Sequence, residues 1–256
     1  MSIQNFIPTF WQNSLLESFK GQAIIEQITY PVEAKGGKII VNKLGAVTVK
    51  EYTGAVSYDE LSTDKVEIPF DQKRFFAIKV SDIDAVQAAG DVMNPALREG
   101  GYQLAKAVDE HAMAKIMGST AHATTLALTK SNAYEAIVDA NRALDKKDIP
   151  TQDRVIICGW DVVGMLEKDL KANFHRDVVG EGMEYHVNGV RLLPTNRIAE
   201  GTVIVMSKQA VAYGMELQET EALRLQDSFS DAVRSLEVFA VEVVRPEAIE
   251  IVKPGA

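Results

Sequence analysis

The four histidines are the first candidates for metal-binding or acid-base chemistry, because imidazole is a common metal ligand and titrates near neutral pH. They stand at positions 111, 122, 175 and 186. None belongs to an HExxH motif or to a zinc-type grouping with the single cysteine, Cys158. Asp109 and Glu110 precede His111 on a predicted helix, where adjacent residues point in different directions. We therefore interpret this triplet as a solvated helix face and predict no metal site.

Motifs for covalent or nucleotide chemistry are also missing from the sequence. It has no GxSxG serine-hydrolase motif and no GxxxxGK[ST] phosphate-binding loop, and Gly180-Glu181-Gly182 is not continued to GxGxxG. Carboxylate pairs such as Asp82 and Asp84, or Asp227 and Asp231, have no partner group that would assign them acid and base roles. We predict that the protein is not an enzyme and uses no cofactor.

Composition predicts an ordered protein that does not bind nucleic acid through its overall charge. The 256 residues are 46% hydrophobic and carry a formal net charge of -9, which disfavours a protein that grips phosphates with clustered Lys and Arg. No run approaches the ~20 apolar residues of a membrane span, and the N-terminus lacks an export-signal pattern. Cys158 lies in an apolar run, so we expect a buried thiol, no intrachain disulfide and a reducing compartment.

Two periodicities indicate the elements that would position any functional residues. Alternating apolar residues predict strands at 38–41, 47–52, 66–70 and 75–80, and the polar, turn-rich residues 53–64 fit the tip of a long antiparallel hairpin. Asn94-Pro95 predicts the start of a helix that ends before Gly118, about twice the average helix length. Further helices are predicted at 131–147 and 161–170, strands at 154–158, 203–206, 235–244 and 248–252, and a tight turn at Asn188-Gly189.

Several segments, taken in order, resemble one protein family. Phe6-Ile7-Pro8-Thr9-Phe10-Trp11 is similar to the N-terminal arm of tailed-bacteriophage major capsid proteins with the Hong Kong 97-type fold. Tyr52-Thr53-Gly54, Tyr58-Asp59-Glu60-Leu61-Ser62-Thr63 and the stretch 75–84 resemble that family's extended loop and its return into the body. The helix that starts at Asn94-Pro95 resembles its spine helix. The resemblance extends over nearly the whole chain.

The resemblance implies an α+β, Hong Kong 97-type capsid fold in four parts. They are an N-terminal arm at 1–35, an extended β-hairpin loop at 36–80, a peripheral domain with a long spine helix at 81–130 and 235–256, and an axial domain at 131–234. It further implies a virion protein, assembled in the bacterial host cytoplasm, that forms the pentamers and hexamers of an icosahedral head. The head would enclose double-stranded DNA without sequence-specific binding, and portal and decoration proteins would be partners.

Subunit contacts are expected from the arm and from the extended loop. The candidate contact residues are Phe6, Trp11, Lys50, Tyr52, Tyr58, Asp59 and Arg74. Residues 35–80 carry eight Lys or Arg against six Asp or Glu, whereas residues 216–250 carry three against nine. Surfaces of unlike charge suit head-to-tail contacts that close into rings. A solvated acidic surface is the alternative interpretation of residues 216–250.

Two departures from the family pattern refine these expectations. The arm motif begins within six residues of Met1, so we expect a separate scaffolding protein instead of a cleaved N-terminal segment. No cross-linking Lys and Asn pair can be matched, so we expect the shell to be held by non-covalent contacts.

The nearest alternative function is an encapsulin-type nanocompartment that encloses cargo enzymes, although the arm and the long loop favour the phage capsid. An α+β enzyme with a site assembled from scattered polar residues is the alternative from another class.

Overall fold

Four α-helices and thirteen β-strands are described in the computed structural model, which covers residues 23–32, 37–44, 51–52, 54, 63–81, 93–169, 174–179, 182–225 and 230–255. The helices are α1 (Ile25–Ile28), α2 (Met93–Met117), α3 (Ala133–Asp145) and α4 (Trp160–Lys168). The strands are β1 (Tyr30–Pro31), β2 (Lys38–Leu44), β3 (Thr63–Pro69), β4 (Gln72–Ser81), β5 (His122–Thr125), β6 (Arg154–Cys158), β7 (Phe174–Val179), β8 (Gly182–Val187), β9 (Val190–Pro194), β10 (Val203–Ser207), β11 (Val211–Arg224), β12 (Ser230–Val243) and β13 (Ile249–Lys253).

The larger sheet has seven strands in the order β5-β13-β10-β6-β9-β8-β7. Its central strands β6 and β10 are buried along their whole length, as expected for the apolar runs that form them. Helices α3 and α4 cover this sheet, and Ile137 and Leu144 pack with Ile156 in its core. Asn188 and Gly189, with φ of 51° and 78°, form the tight turn between β8 and β9. This confirms the hairpin turn predicted from the Asn-Gly pair.

The smaller sheet has four strands in the order β1-β11-β12-β4, and α2 lies on one of its faces. Val108 and Ile116 of α2 pack in one core with Phe239 and Val241 of β12. Gly100 allows the close approach of helix and sheet, because a Cβ atom there would lie 2.9 Å from the ring of Phe76. The long helix predicted after Asn94-Pro95 is thus confirmed, and it lies across this sheet.

The hairpin formed by β2 and β3 packs on the opposite face of the four-stranded sheet. Its register runs from Lys38 opposite Pro69 to Leu44 opposite Thr63. Ile39 and Ile68 of the hairpin pack with Ala212, Ala240 and Val244 of the sheet. Ala240 alternates with the helix-facing residues of β12, so the hairpin and α2 contact opposite faces. The base of the predicted antiparallel hairpin is confirmed, while most of the hairpin tip lies outside the described residues.

The strand β11 has no counterpart among the strands predicted from the sequence. The pairing between β11 and β12 shifts register at Leu217 and Glu219. Such an irregularity interrupts the alternation by which a strand is recognised in a sequence. Because β12 pairs with it over nearly its whole length, β11 is a strand despite its acidic side chains.

Strand pairing also links residues across the predicted domain boundaries. β11 lies in the range predicted as axial, 131–234, yet it belongs to the same sheet as β4 and β12. β5 and β13 lie in the ranges predicted as peripheral, yet they pair with each other in the seven-stranded sheet. The turn at Pro246–Ala248 takes the chain from the smaller sheet to the larger one.

Arg154 connects α3, the following loop and β6 through a buried guanidinium group. It donates hydrogen bonds to the backbone oxygens of Pro150 (3.1 Å), Asn141 (3.3 Å) and Ile149, and its Nη1 lies 2.7 Å from a carboxylate oxygen of Asp145. The Arg154 side chain is 2% exposed. It therefore satisfies carbonyl groups where the chain leaves α3.

Replacing this arginine by methionine, Arg154→Met, is expected to lower the free energy of unfolding by about 3 kcal/mol, because several buried carbonyl groups lose their donor. The urea midpoint of the full-length chain measures the change. Arg245→Met is the matched control: Arg245 is exposed and its guanidinium bonds Gln209 at 3.3 Å, so its loss should change stability by less than about 0.5 kcal/mol. Equal midpoints for the two variants would contradict the structural role of Arg154.

Candidate subunit-contact surface

The exposed face of β4 presents an uncovered aromatic side chain on the four-stranded sheet. In the strand order β4 is an edge strand, and it pairs with β12 so that Phe75 lies opposite Leu236 and Ala77 opposite Arg234. The side chain of Phe75 is 75% exposed. Its neighbour Phe76 points the other way and packs against α2. Phe75 therefore stabilises its own sheet little and is available for contact.

Phe75 belongs to a hollow on the sheet face that the hairpin leaves uncovered. The hollow has a volume of about 470 Å³ and is lined by Phe75, Ala77, Glu221, Arg234, Ser235 and Leu236. We call these six residues the open sheet face. The β2–β3 hairpin packs on Ala212 and Ala240, and Leu236 lies four residues before Ala240 on β12. The open sheet face thus extends the surface on which the chain already carries its own hairpin.

Charged side chains border this apolar hollow. Arg234 forms an ion pair with Glu221 across the β11–β12 pair, and Arg224 lies 3.0 Å from Asp231 further along the same strands. Exposed ion pairs of this kind contribute little to folding stability. An apolar centre rimmed by charges is typical of surfaces that bind another protein.

The structure describes two of the seven predicted contact residues. Tyr52 is 75% exposed. Arg74 is also exposed, and its guanidinium donates to the backbone oxygen of Lys73 (3.1 Å) and to Gln72 Oε1 (3.3 Å). Arg74 precedes Phe75 on β4, whereas Tyr52 belongs to the loop after β2. The other five lie outside the described residues: Phe6, Trp11, Lys50, Tyr58 and Asp59.

Phe75 was missed as a contact residue, although the sequence carries a signal for it. Consecutive side chains of a strand point to opposite faces. When two phenylalanines are adjacent in a strand that has one face on a core, one of them must point away from that core. Phe75-Phe76 in the strand predicted at 75–80 fulfils this condition. The pair therefore predicts one exposed aromatic ring, without saying what covers it.

The triplet at 109–111 does not form a solvated helix face, so that interpretation is wrong for Asp109. Asp109 is 1% exposed, and its carboxylate accepts hydrogen bonds from the backbone N–H groups of Ile24 (3.1 Å) and Ile25 (3.0 Å). Burial raises the pKa of Asp109 to about 6. His111 packs edge-on against Phe239, with ring centroids 5.6 Å apart. The reason is tertiary: α1 docks onto α2 at this point.

The described residues contain no cluster of three or more His, Cys, Asp or Glu side chains that could hold a metal ion. Cys158 is free and buried, as predicted, and burial raises the pKa of its thiol. None of the described helices combines the length and the apolar character needed to cross a bilayer.

Comparison with known proteins gives one family match. A family model described as "phage capsid protein" matches residues 65–252, which include β4, α2 and all later strands up to most of β13. No curated protein sequence matches the chain.

Solved structures of shell proteins share this fold. A chain from Mycobacterium phage Che8 is 26% identical, with a TM-score of 0.69, and the alignment covers 90% of this chain and 91% of that one. The capsid of the cyanophage P-SCSP1u gives 15% identity, a TM-score of 0.68 and coverages of 91% and 88%. An encapsulin complex from Synechococcus elongatus gives 9% identity, a TM-score of 0.64 and coverages of 89% and 85%.

Proposed function

Because this chain belongs to the phage capsid protein family, we propose that it is the major capsid protein of a tailed bacteriophage. The predicted α+β, Hong Kong 97-type capsid fold is confirmed by the solved structures that share it. Membership implies a structural protein of a virion shell built from many copies of this chain. The family match over residues 65–252 is the observation that carries the proposal. In more detail, the proposal is that pentamers and hexamers of the chain form an icosahedral head around double-stranded DNA.

The two sheets suggest how the parts of the chain divide this work. We propose that the four-stranded sheet with α2 is the peripheral domain and that the seven-stranded sheet with α3 and α4 is the axial domain. The β2–β3 hairpin is then the base of the extended loop. This division follows strand pairing, so it assigns β11 to the peripheral part and assigns β5 and β13 to the axial part.

The open sheet face is proposed to contact the extended loop of a neighbouring copy. One observation supports this occupant: the face continues the surface that already binds the β2–β3 hairpin of its own chain. Lys50, Tyr52, Tyr58 and Asp59 are the loop residues proposed for this contact, and Arg74 precedes Phe75 on β4. Phe6 and Trp11 belong to the separate contact proposed for the N-terminal arm.

Replacing the exposed ring, Phe75→Ser, is expected to raise the protein concentration needed for assembly at least about tenfold, since losing one aromatic anchor that the contact buries costs more than about 1.4 kcal/mol per contact. The free energy of unfolding should change by less than about 0.5 kcal/mol, because the ring is already exposed in the single chain. Light scattering follows assembly and urea denaturation follows stability. Leu126→Ser, at an exposed leucine beside the seven-stranded sheet, is the control; assembly of Phe75→Ser at the same protein concentration as the control would exclude the contact.

The proposed partners follow from the same assignment. A separate scaffolding protein would guide assembly, the portal would occupy one vertex, and decoration proteins would bind the outside. The enclosed DNA would be held without sequence-specific contacts, and a net charge of -9 suits a shell that does not adhere to phosphates. Assembly would take place in the bacterial host cytoplasm.

An encapsulin-type shell is the second candidate, because an encapsulin complex shares the fold over 89% of this chain. Both candidates predict closed shells and differ in what the shells contain. Nuclease-protected DNA inside particles from an infected or induced host supports the phage head. A copurifying cargo enzyme in place of DNA supports the encapsulin.

Negative-stain electron microscopy of the purified chain, with light scattering on the same sample, tests the shell function directly. Closed shells, tubes or rings of capsomers are the expected result. Scaffolding protein is supplied in a second sample because the head-forming reaction is expected to need it. A monomer that persists in both samples would contradict the proposal.

A further inference from the structure

Glu237 is a fully buried carboxyl group for which the capsid function gives no use. It lies within β12 and is 0% exposed. Neither carboxylate oxygen has a hydrogen-bond partner among the described residues. A buried carboxylate without a partner is strongly unfavourable when ionised. The group is therefore poised to change the local structure when its proton leaves.

The strands beside Glu237 do not neutralise it. Arg74 stands opposite Glu237 in the register of β4, but its guanidinium is exposed and bonds Lys73 and Gln72. On β11, Leu217 stands opposite, and the nearby Tyr213 hydroxyl is itself buried without a partner among the described residues. The charge of Glu237 helps to raise the pKa of this tyrosine.

The helices beside Glu237 add negative charge. Glu26 of α1 acts on it, and burial together with this like charge raises the pKa of Glu237 to about 8. On α2, Asp109 is occupied by the backbone N–H groups of α1. His111, also on α2, packs edge-on against Phe239, which lies two residues after Glu237 on β12. Burial lowers the pKa of His111. At neutral pH this histidine therefore supplies no compensating positive charge.

We propose that Glu237 is a proton-controlled latch for α1: the helix stays packed against α2 and the sheet while Glu237 is protonated, and it is released when Glu237 ionises. The inference goes beyond the proposed shell function and does not rest on it. Release relieves the buried charge in two ways. Water reaches the carboxylate of Glu237, and the like charge of Glu26 moves away.

Among the described elements around Glu237, α1 needs the smallest free energy to move away. It has four residues, too few to be stable as an isolated helix. Its contacts include the burial of Ile25 and Ile28 and the two hydrogen bonds to Asp109. β12, by contrast, is paired on both sides, with β11 and β4. Local opening of α1 therefore needs less free energy than separation of the strands.

Hydrogen exchange of the full-length chain between pH 6 and pH 9.5 tests the latch. The backbone amides of Ile28 and Thr29, which bond Ile24 and Ile25, report on α1. Their protection factors, corrected for intrinsic exchange, are expected to fall by up to about tenfold for each pH unit as the pH rises to about 8, and to change little above that pH. Amides of α2 and β12 should keep their protection, and light scattering at each pH verifies that the oligomeric state is constant.

Three variants make the test specific. Glu237→Gln and Glu237→Met remove the ionisable group with little change of volume. In each of these variants that folds, the amides of α1 should keep their protection up to pH 9.5. Glu242→Gln removes a partly exposed carboxylate of β12 that pairs with Lys115 and should behave like the unaltered chain. The latch is refuted if α1 of the unaltered chain stays protected at pH 9.5, if the Glu237 variants lose protection in parallel with it, or if α2 and β12 open together with α1.

Discussion

Deletion of residues 52–62 from the extended loop is expected to abolish assembly and to leave a folded single chain. The base of the hairpin remains anchored, because Ile39 and Ile68 pack on the four-stranded sheet of the same chain. Residues 45–51 still connect β2 to β3, and seven residues are enough to close an antiparallel hairpin. The deletion leaves the packed residues of the hairpin base in place, so folding is expected to lose little, and it removes the predicted contact residues Tyr52, Tyr58 and Asp59.

The size of the effect follows from how shells form. Each subunit of a closed shell repeats the same contact, so a loss of only a few kcal/mol at one contact is multiplied over the assembly. Particles should become undetectable by negative stain under conditions in which the unaltered chain assembles. Circular dichroism and a urea midpoint close to that of the unaltered chain would show that the variant is folded.

A matched variant separates loop length from loop chemistry. Replacing residues 52–62 by eleven Gly and Ser residues keeps the length and removes side chains such as Tyr52 and Tyr58. Loss of assembly in both variants assigns the contact to the side chains, whereas loss in the deletion alone assigns it to the reach of the loop. Normal shells from the deletion variant would disprove the role of the loop tip.

Local signals in the sequence predicted much of the fold. α2 begins at Met93, one residue before the predicted cap Asn94, and ends at Met117, directly before Gly118; the apolar run at 154–158 is β6 as predicted. Asn188-Gly189 forms the predicted turn. In each case neighbouring residues decide the structure by themselves, through a cap, an apolar run or a turn conformation.

Non-local pairing is what the sequence could not predict. β13 inserts between β5 and β10, which precede it by more than forty residues, and it takes part in a sheet other than that of β12. β11 became recognisable as a strand only through its pairing with β12. The candidate surface has the same origin, because the open sheet face joins residues of β4, β11 and β12 that are far apart in the chain.

Buried carboxyl groups were missed for a related reason. From the sequence alone, Asp109 on a helix and Glu237 in a strand are expected at the surface, because acidic side chains are rarely buried. For Asp109 burial follows from a contact with α1, 84 residues away in sequence. For Glu237 the alternation of β12 gives a hint, since it shares a face with Phe239 and Val241.

The Glu237→Gln variant is expected to be more stable than the unaltered chain at high pH. The pKa of Glu237 is raised from 4.5 to about 8 in the folded protein. The stability that this group contributes is therefore fully present below pH 4.5 and is lost as pH rises to about 8, because the unfolded chain releases the proton first. A difference of about 3.5 pKa units corresponds to at most roughly 5 kcal/mol. The glutamine variant has no such loss.

Urea unfolding at pH 5, 6, 7, 8 and 9 measures this difference. The free energy of unfolding of Glu237→Gln, relative to the unaltered chain, should rise by up to about 1.4 kcal/mol per pH unit and level off above pH 8. Asp109, whose pKa is raised to about 6, titrates in both proteins and cancels in the comparison. Glu242→Gln should run parallel to the unaltered chain. A constant difference between Glu237→Gln and the unaltered chain would show that Glu237 does not ionise in a buried site.

The stability difference between Glu237→Gln and the unaltered chain reaches a plateau at high pH, and the height of this plateau connects the stability measurement to the latch. If the fold stayed closed at pH 9, the ionised carboxylate would remain buried and the full loss of roughly 5 kcal/mol would be observed. If α1 opens, Glu237 becomes hydrated and the loss stops at the free energy of opening α1, which is smaller than that of global unfolding. A plateau well below 5 kcal/mol, together with lost protection of Ile28 and Thr29, is therefore the combination we expect. A full plateau with α1 still protected would mean that the charge is tolerated in place and that no latch operates.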